Sequence, residues 1–414
     1  MESVRTGIIG LGGRGRGLLY TALVCGQAKI VAVCDRYEDR LAAGANIVKE
    51  KKGYDVKTYS DYRDLLADKE IDAVIIASSW DEHFRMAIES LSAGKITAVE
   101  VGGAYEIEEC WELIRTYEKT QIPLMMLENC CFDNFELLVT SLHRAGKLGQ
   151  IVHCHGAYRH DLRAEILGGN VNRHYRLNNY IKRSCENYPT HEIGPIAKLL
   201  DINRGNRFMT LSSFASKAIG LEEFAKSEKN PDKSLIGTKF KQGDVVTTVL
   251  TCANGETVTL TLNTTLPVYY SREFEIYGTK GMCRREENMI MIEGDADMEE
   301  FWYPEKFVSK YLNNADNYCE YLPEIWKNVT EEEKNLGHGG MDYFTLNAFF
   351  DAIINKKEMP IDVYDAVTWA CVTALSERSV SMGGAVQPFP DFTRGKWIKR
   401  KRKDVVDFPD DNNT

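Results

Sequence analysis

Short apolar runs alternate with longer amphipathic stretches along the first third of the chain, a rhythm that predicts βαβ units and a parallel sheet. Strands are expected at Thr6–Ile9, Ile30–Cys34, Ala73–Ala77, Ile96–Val99 and Leu124–Leu127. Helices are expected between them at Arg16–Val24, Arg36–Glu50, Tyr62–Ala67, Phe84–Ala93 and Ile107–Thr120. Five strands in this order make a doubly wound sheet. After Phe132 the rhythm changes. A helix near Phe135–Ala145 leads into a strand-like Ile151–Tyr158, a polar loop and a helix at Ile193–Leu200. Val245–Thr251 and Thr257–Leu262 then form a hairpin around Ala253-Asn254-Gly255-Glu256, where Asn-Gly predicts a type I′ turn. Residues 286–340 are acidic, aromatic and poorly periodic, and helical patterns return at Tyr343–Asn355 and Val363–Met382. The expected fold class is α/β: a Rossmann doubly wound parallel sheet over residues 1–130, then an α+β domain with a largely antiparallel open sheet over residues 131–414.

Length and composition agree with two domains, since 414 residues at 43% hydrophobic content exceed what one core usually holds. No apolar run is long enough to span a bilayer. Met1–Thr6 leads straight into a strand without a basic leader or apolar segment, so a cytoplasmic location is expected. Eleven scattered cysteines read as reduced thiols. His153-Cys154-His155 alternates like a strand and lacks a second ligand pair, so no metal site is expected. A net charge of −10 disfavours a nucleic-acid partner. The basic run Lys399–Lys403 precedes the polar, acidic Asp404–Thr414 and reads as a solvated segment.

The first chemical signal is Gly10-Leu11-Gly12-Gly13-Arg14-Gly15, a G-x-G-x-x-G turn between a strand and a helix. In that context backbone amides and the helix dipole can meet a pyrophosphate. Asp35 ends the next strand, where a carboxylate accepts hydrogen bonds from a ribose 2′-hydroxyl, so NAD is favoured over NADP. Arg36 is the one feature there that would suit a 2′-phosphate. Two further loops, Ser78–His83 and Glu100–Gly103, leave the carboxyl edge of the sheet, where such folds bind ligands.

Several longer strings carry a family resemblance. They include Trp80–His83, Glu100-Val101, Leu127–Cys131, Ala157–Arg163, Tyr175-Arg176-Leu177, Tyr188-Pro189-Thr190-His191, Tyr270-Ser271-Arg272 and His338–Asp342, spread over most of the chain. With the glycine turn they resemble glycoside hydrolase family 109, the NAD-dependent glycosidase branch of the Gfo/Idh/MocA oxidoreductases. Ordinary dehydrogenases of that superfamily usually carry Glu-Lys-Pro where this chain has Glu100-Val101-Gly102, so their lysine is missing. The chain departs from the branch at Glu192-Ile193, where Gly-Leu is usual, at Gly102, and in lacking an export signal. The resemblance implies that Gly10, Gly12, Gly13, Arg14, Gly15, Asp35, Trp80, His83, Glu100, Val101, Asn129, Arg176 and Tyr188 line NAD. It places Tyr158, Tyr188, Pro189, Thr190, His191 and Tyr270 against the sugar of a small-molecule glycoside, and it implies a homo-oligomer.

The resemblance also implies a redox route to hydrolysis, unlike the paired-carboxylate route. C3 of the sugar is oxidised with NAD, the acidified C2 proton is removed, the C1 substituent is eliminated, water adds, and the hydride returns to C3. Such chemistry needs groups that move the C3 hydroxyl proton and the C2 proton. Tyr188 and His191, three residues apart at a helix start, suit the first task. Tyr158 and His160, on one face of a strand, suit the second or the leaving group. Taken singly, each residue reads better as a core tyrosine, a helix cap or a strand pair; taken together in family order they read as catalytic. α-N-Acetylgalactosaminides or related glycosides are the expected substrates. Two other readings are a conventional NAD-dependent sugar or inositol dehydrogenase and a non-catalytic NAD-dependent sensor.

Overall fold

The computed structural model describes residues 3–294 and 303–409. The last residues of the acidic tail and part of the 286–340 stretch lie outside the described residues. By spatial contact the chain forms two compact units, residues 1–132 with 328–368, and residues 133–327 with 369–414. The rhythm of the chain implies one boundary, near residue 130; in space a later segment, 328–368, joins the first unit.

In the first unit six parallel strands lie in the order β3-β2-β1-β4-β5-β6. They are β1 (Val4–Ile9), β2 (Ala28–Cys34), β3 (Lys57–Tyr59), β4 (Ala73–Ile76), β5 (Ile96–Val99) and β6 (Leu124–Met126). The central β4 is buried along its whole length, as expected for a strand with both faces covered by helices. Strand β3 escaped the sequence reading because it is three residues long, half polar and at the sheet edge. The chain order reverses between β1 and β4, where doubly wound sheets open a crevice at the carboxyl ends of their strands. Helix α1 (Gly13–Val24) follows β1, and helix Met341–Ile354 comes from the later segment.

The second unit is built on an eight-stranded sheet, ordered β13-β12-β11-β7-β10-β9-β8-β14. Its long strands are β7 (Ile151–Arg159), β8 (Phe208–Ala215), β9 (Val246–Cys252) and β10 (Thr257–Asn263). The shorter ones are β11 (Glu275–Gly278), β12 (Gly281–Arg284), β13 (Met289–Ile292) and β14 (Gln387–Pro388). All pairings are antiparallel except β10 with β7. Strand β9 alternates strictly, with Val246, Thr248, Leu250 and Cys252 buried and Val249 and Thr251 exposed, so one face builds the core. The β9–β10 turn differs from the type I′ expectation. Gly255 alone takes a positive φ, +100°, while Asn254 does not. A four-residue loop results, closed by the Cys252 amide on the Glu256 carbonyl at 2.9 Å, and Asn254 instead donates to Gly205. All eleven cysteines are free thiols. Among the described residues no helix is long and apolar enough to cross a membrane.

Candidate active site

The glycine turn of the first unit owes its shape to contacts that no side chain could share. Gly10 has φ +91°, and a Cβ there would lie 2.5 Å from the Ala77 carbonyl oxygen. A Cβ on Gly15 would lie 1.9 Å from the Gly10 carbonyl oxygen. Helix α1 therefore starts hard against the end of β1, and no side chain caps its first turn. Those amides and the positive end of the helix dipole suit a pyrophosphate. Asp35, at the end of β2, accepts the Leu11 amide at 2.8 Å and the Tyr37 amide at 2.9 Å, which fixes its carboxylate beside the turn. Arg36 lies over the Tyr37 ring at 5.3 Å.

Beyond β4 and β5 the two loops singled out in the sequence meet. A Cβ on Gly102 would lie 2.4 Å from the Trp80 indole, so the residue that departs from the family pattern is one whose backbone lies directly on Trp80. His83 is buried, and its Nε2 lies 3.1 Å from the Ser78 carbonyl. Burial lowers its pKa to about 4, so it stays neutral in the physiological range. Val101 is buried beside them.

The Arg14 side chain turns to two carboxylates. Glu100 Oε1 lies 2.7 Å from Nη2, and Asp342 Oδ2 lies 2.5 Å from Nη1. Asp342 also accepts Asn129 Nδ2 at 2.7 Å and sits 2.9 Å from His338 Nδ1. Burial works to raise the Asp342 pKa, but the His338 hydrogen bond and the Arg14 charge outweigh it and hold the carboxyl well below its usual range. Asp342 and His338 were not among the expected site residues. Their signal was the His338–Asp342 string, whose role depends on a fold that brings residue 342 to the end of β6.

In the second unit an aromatic and imidazole cluster gathers residues from three stretches of chain. Strand β7 delivers Tyr158, the start of helix Thr190–Leu199 delivers Tyr188 and His191, and the loop before β11 delivers Tyr270. Tyr188 Oη and His191 Nε2 are 3.0 Å apart. The Tyr158 ring centroid lies 4.6 Å from that of Tyr188 and 5.6 Å from that of His191. His160, one residue past the end of β7, has its Nδ1 3.4 Å from Tyr158 Oη and its ring 5.4 Å from Tyr270. Burial lowers the His160 pKa. Helix Thr190–Leu199 can approach this strand because Gly156 leaves room; a Cβ there would lie 2.6 Å from the Glu192 carbonyl oxygen. Pro189 and Thr190 are buried, and the Thr190 hydroxyl meets no hydrogen-bonding partner among the described residues.

Arg176 stands with this cluster, its guanidinium 5.3 Å from the Tyr188 ring centroid and its Nε 3.3 Å from Glu165. Tyr270 is held from behind: Arg272 Nη1 donates to its hydroxyl at 3.2 Å, while Arg272 Nη2 pairs with Glu136 at 2.5 Å and Asp133 at 2.8 Å. Glu136, Asp133 and Glu165 carry no motif and reach the cluster only through packing.

The doubly wound sheet, the glycine turn at its switch point and the carboxylate after β2 define a nicotinamide-dinucleotide fold joined to a separate polar-aromatic site. Residues 4–127 match the oxidoreductase family with an NAD-binding Rossmann fold, and residues 132–399 match the glycosyl hydrolase 109 C-terminal domain. The chain is 35% identical to an alpha-N-acetylgalactosaminidase of Tannerella forsythia, over 96% of this chain and 88% of that one. It is 38% identical to a glycosyl hydrolase family 109 protein of Stenotrophomonas maltophilia, over 97% and 91%. The fold is shared with a levoglucosan dehydrogenase solved with NADH and levoglucosan, at TM-score 0.69, 18% identity and coverage of 94% and 100%. It is shared also with a scyllo-inositol dehydrogenase from Lactobacillus casei, at TM-score 0.61, 15% identity and coverage of 94% and 99%. The chain belongs to glycosyl hydrolase family 109, and is an NAD-dependent glycosidase.

Proposed function

We propose that this chain cleaves α-N-acetylgalactosaminides or related glycosides by transient oxidation at C3, elimination of the aglycone, addition of water and re-reduction. The observation that carries the reading is the 3.0 Å contact between Tyr188 Oη and His191 Nε2 inside the aromatic cluster. When bound, NAD supplies the chemistry of taking a hydride from the sugar and giving it back. The residues of the first unit fit NAD: the glycine turn leaves its helix amides open, and Asp35 places a carboxylate where a ribose hydroxyl can donate but a 2′-phosphate would be repelled.

The proton work falls to the second unit. A tyrosine and a histidine in hydrogen-bond contact can take the C3 hydroxyl proton and hand it on, since imidazole titrates near neutral pH. The Arg176 guanidinium beside Tyr188 stabilises negative charge developing on the phenol oxygen or the sugar oxygen. Tyr158 and His160, 3.4 Å apart, form a second proton-handling pair for C2 or the leaving oxygen. Tyr270, backed by Arg272, is placed to orient a sugar hydroxyl.

A panel of chromogenic glycosides followed at the aglycone and NADH wavelengths together tests the reading. Aglycone release without accumulating NADH is expected. Accumulating NADH without aglycone would identify a conventional dehydrogenase, and neither signal despite bound NAD would identify a non-catalytic binder. The proposal extends to a cytoplasmic, homo-oligomeric protein, to be checked by cell fractionation and light scattering.

A further inference from the structure

Arg14 lies in the glycine turn, where a free guanidinium would be expected to meet a phosphate. Its nitrogens are instead taken by Glu100 at 2.7 Å and Asp342 at 2.5 Å. The two carboxyl side chains are almost fully buried, while His338 beside them is 54% exposed. Asn129 adds a neutral hydrogen bond to Asp342. One guanidinium stands against two carboxylates, an excess of one negative charge.

Its place in the fold gives that charge a direction. The cluster joins the turn after β1 to the ends of β5 and β6, by way of Glu100 and Asn129. Asp35 stands at the end of β2, on the other side of the switch point. A dinucleotide laid across the crevice with its adenosine ribose at Asp35 must extend its nicotinamide half toward β4, β5 and β6. Buried charges are poorly screened, so they act on a ring nearby more strongly than surface charges would. The oxidised ring is positive and the reduced ring neutral, so only the first is stabilised.

We infer that Glu100 and Asp342, held on Arg14, bias the site toward the oxidised cofactor. The inference rests on reading the first unit as an NAD site. It suits an enzyme that returns its hydride in each turnover, because such an enzyme must begin every cycle oxidised.

Dissociation constants for NAD⁺ and for NADH, measured separately by titration calorimetry at pH 8, test it on the native protein and on Asp342→Asn, Glu100→Gln and Arg14→Gln. The readout is the ratio of the two constants. Each carboxylate variant should shift the ratio toward NADH on the order of five-fold, the effect expected of one charge in a partly screened site. Arg14→Gln should shift it the opposite way. Should one carboxylate variant fail to fold, the other must still move the ratio toward NADH. Equal weakening of both oxidation states in every variant would mark the cluster as a structural brace and overturn the inference. Failure of the native protein to bind either form would overturn the NAD reading beneath it.

Discussion

The side chains of Glu186 and Glu192 bring two buried carboxyl groups together in the interior of the second unit, where the charge of Glu186 acts on Glu192. They are 0% and 1% exposed, and they bracket Tyr188 and His191 in sequence. Glu192 also accepts the Thr261 amide at 3.1 Å. Two carboxylates cannot both ionise there, so the pair holds a proton in common.

Stability should therefore fall as pH rises. Burial raises the pKa of Glu186 to about 7, and burial together with the charge of Glu186 raises that of Glu192. The folded protein keeps a proton that the unfolded chain releases above the ordinary glutamate range. The stabilisation is thus full below that range and is lost as pH rises through about 7. Glu192→Gln keeps an acceptor for the Thr261 amide without the charge and should gain about 1–3 kcal/mol over the native chain at pH 8, and little at pH 4. Urea melts at the two pH values measure this; an equal effect at both would contradict the shared proton.

Tyr188→Phe and His191→Asn should each lower kcat by about 10²–10⁴, the usual worth of a positioned acid–base group. Folding should be retained in both, and NAD affinity in His191→Asn, whose residue is not among those expected to line the dinucleotide. Because the two groups act as one unit, the double variant should lose little more than the worse single one. Steady-state kinetics with fluorescence titration of NAD separate this outcome from a general loss of structure.

Gly15→Ala should break the glycine turn although its backbone conformation is ordinary, because the new methyl would lie 1.9 Å from the Gly10 carbonyl oxygen. Overpacking of this kind costs about 1–3 kcal/mol. NAD binding should weaken by roughly ten-fold or more if that strain falls on the turn. Gly17→Ala, two residues on in the same helix and with nothing within 4 Å of its Cβ, is the control and should bind normally.

Arg272 pairs with Glu136 and Asp133, which it shares with Arg285, while holding Tyr270. Arg272→Met should cost about 3 kcal/mol, since it removes the nearer of two cations and leaves only Arg285, 3.3 and 3.4 Å from the buried pair. Tyr270→Phe removes only the hydroxyl, which lies on a side chain 44% exposed, and should leave the melting temperature nearly unchanged while raising KM for the glycoside. Thermal melts and kinetics on the pair separate the buried ionic support from the surface group it orients.

The sequence by itself determined the parallel βαβ rhythm, the glycine turn, Asp35 and the order of the two architectures. These are local signals: strand and helix periods differ, and a tight turn needs glycine wherever it occurs. It also pointed to Tyr158, His160, Tyr188, His191 and Tyr270, which the second unit brings within one cluster. Only the tertiary structure decided that Asp342 returns across more than three hundred residues to Arg14, that Gly102 lies on Trp80, that Arg176 stands over Tyr188, and that Glu192 meets Glu186. A carboxylate far along the chain carries no periodic signature. Its partner is fixed by the folding of everything between them, and its charge acquires meaning only once burial removes the water that would otherwise screen it.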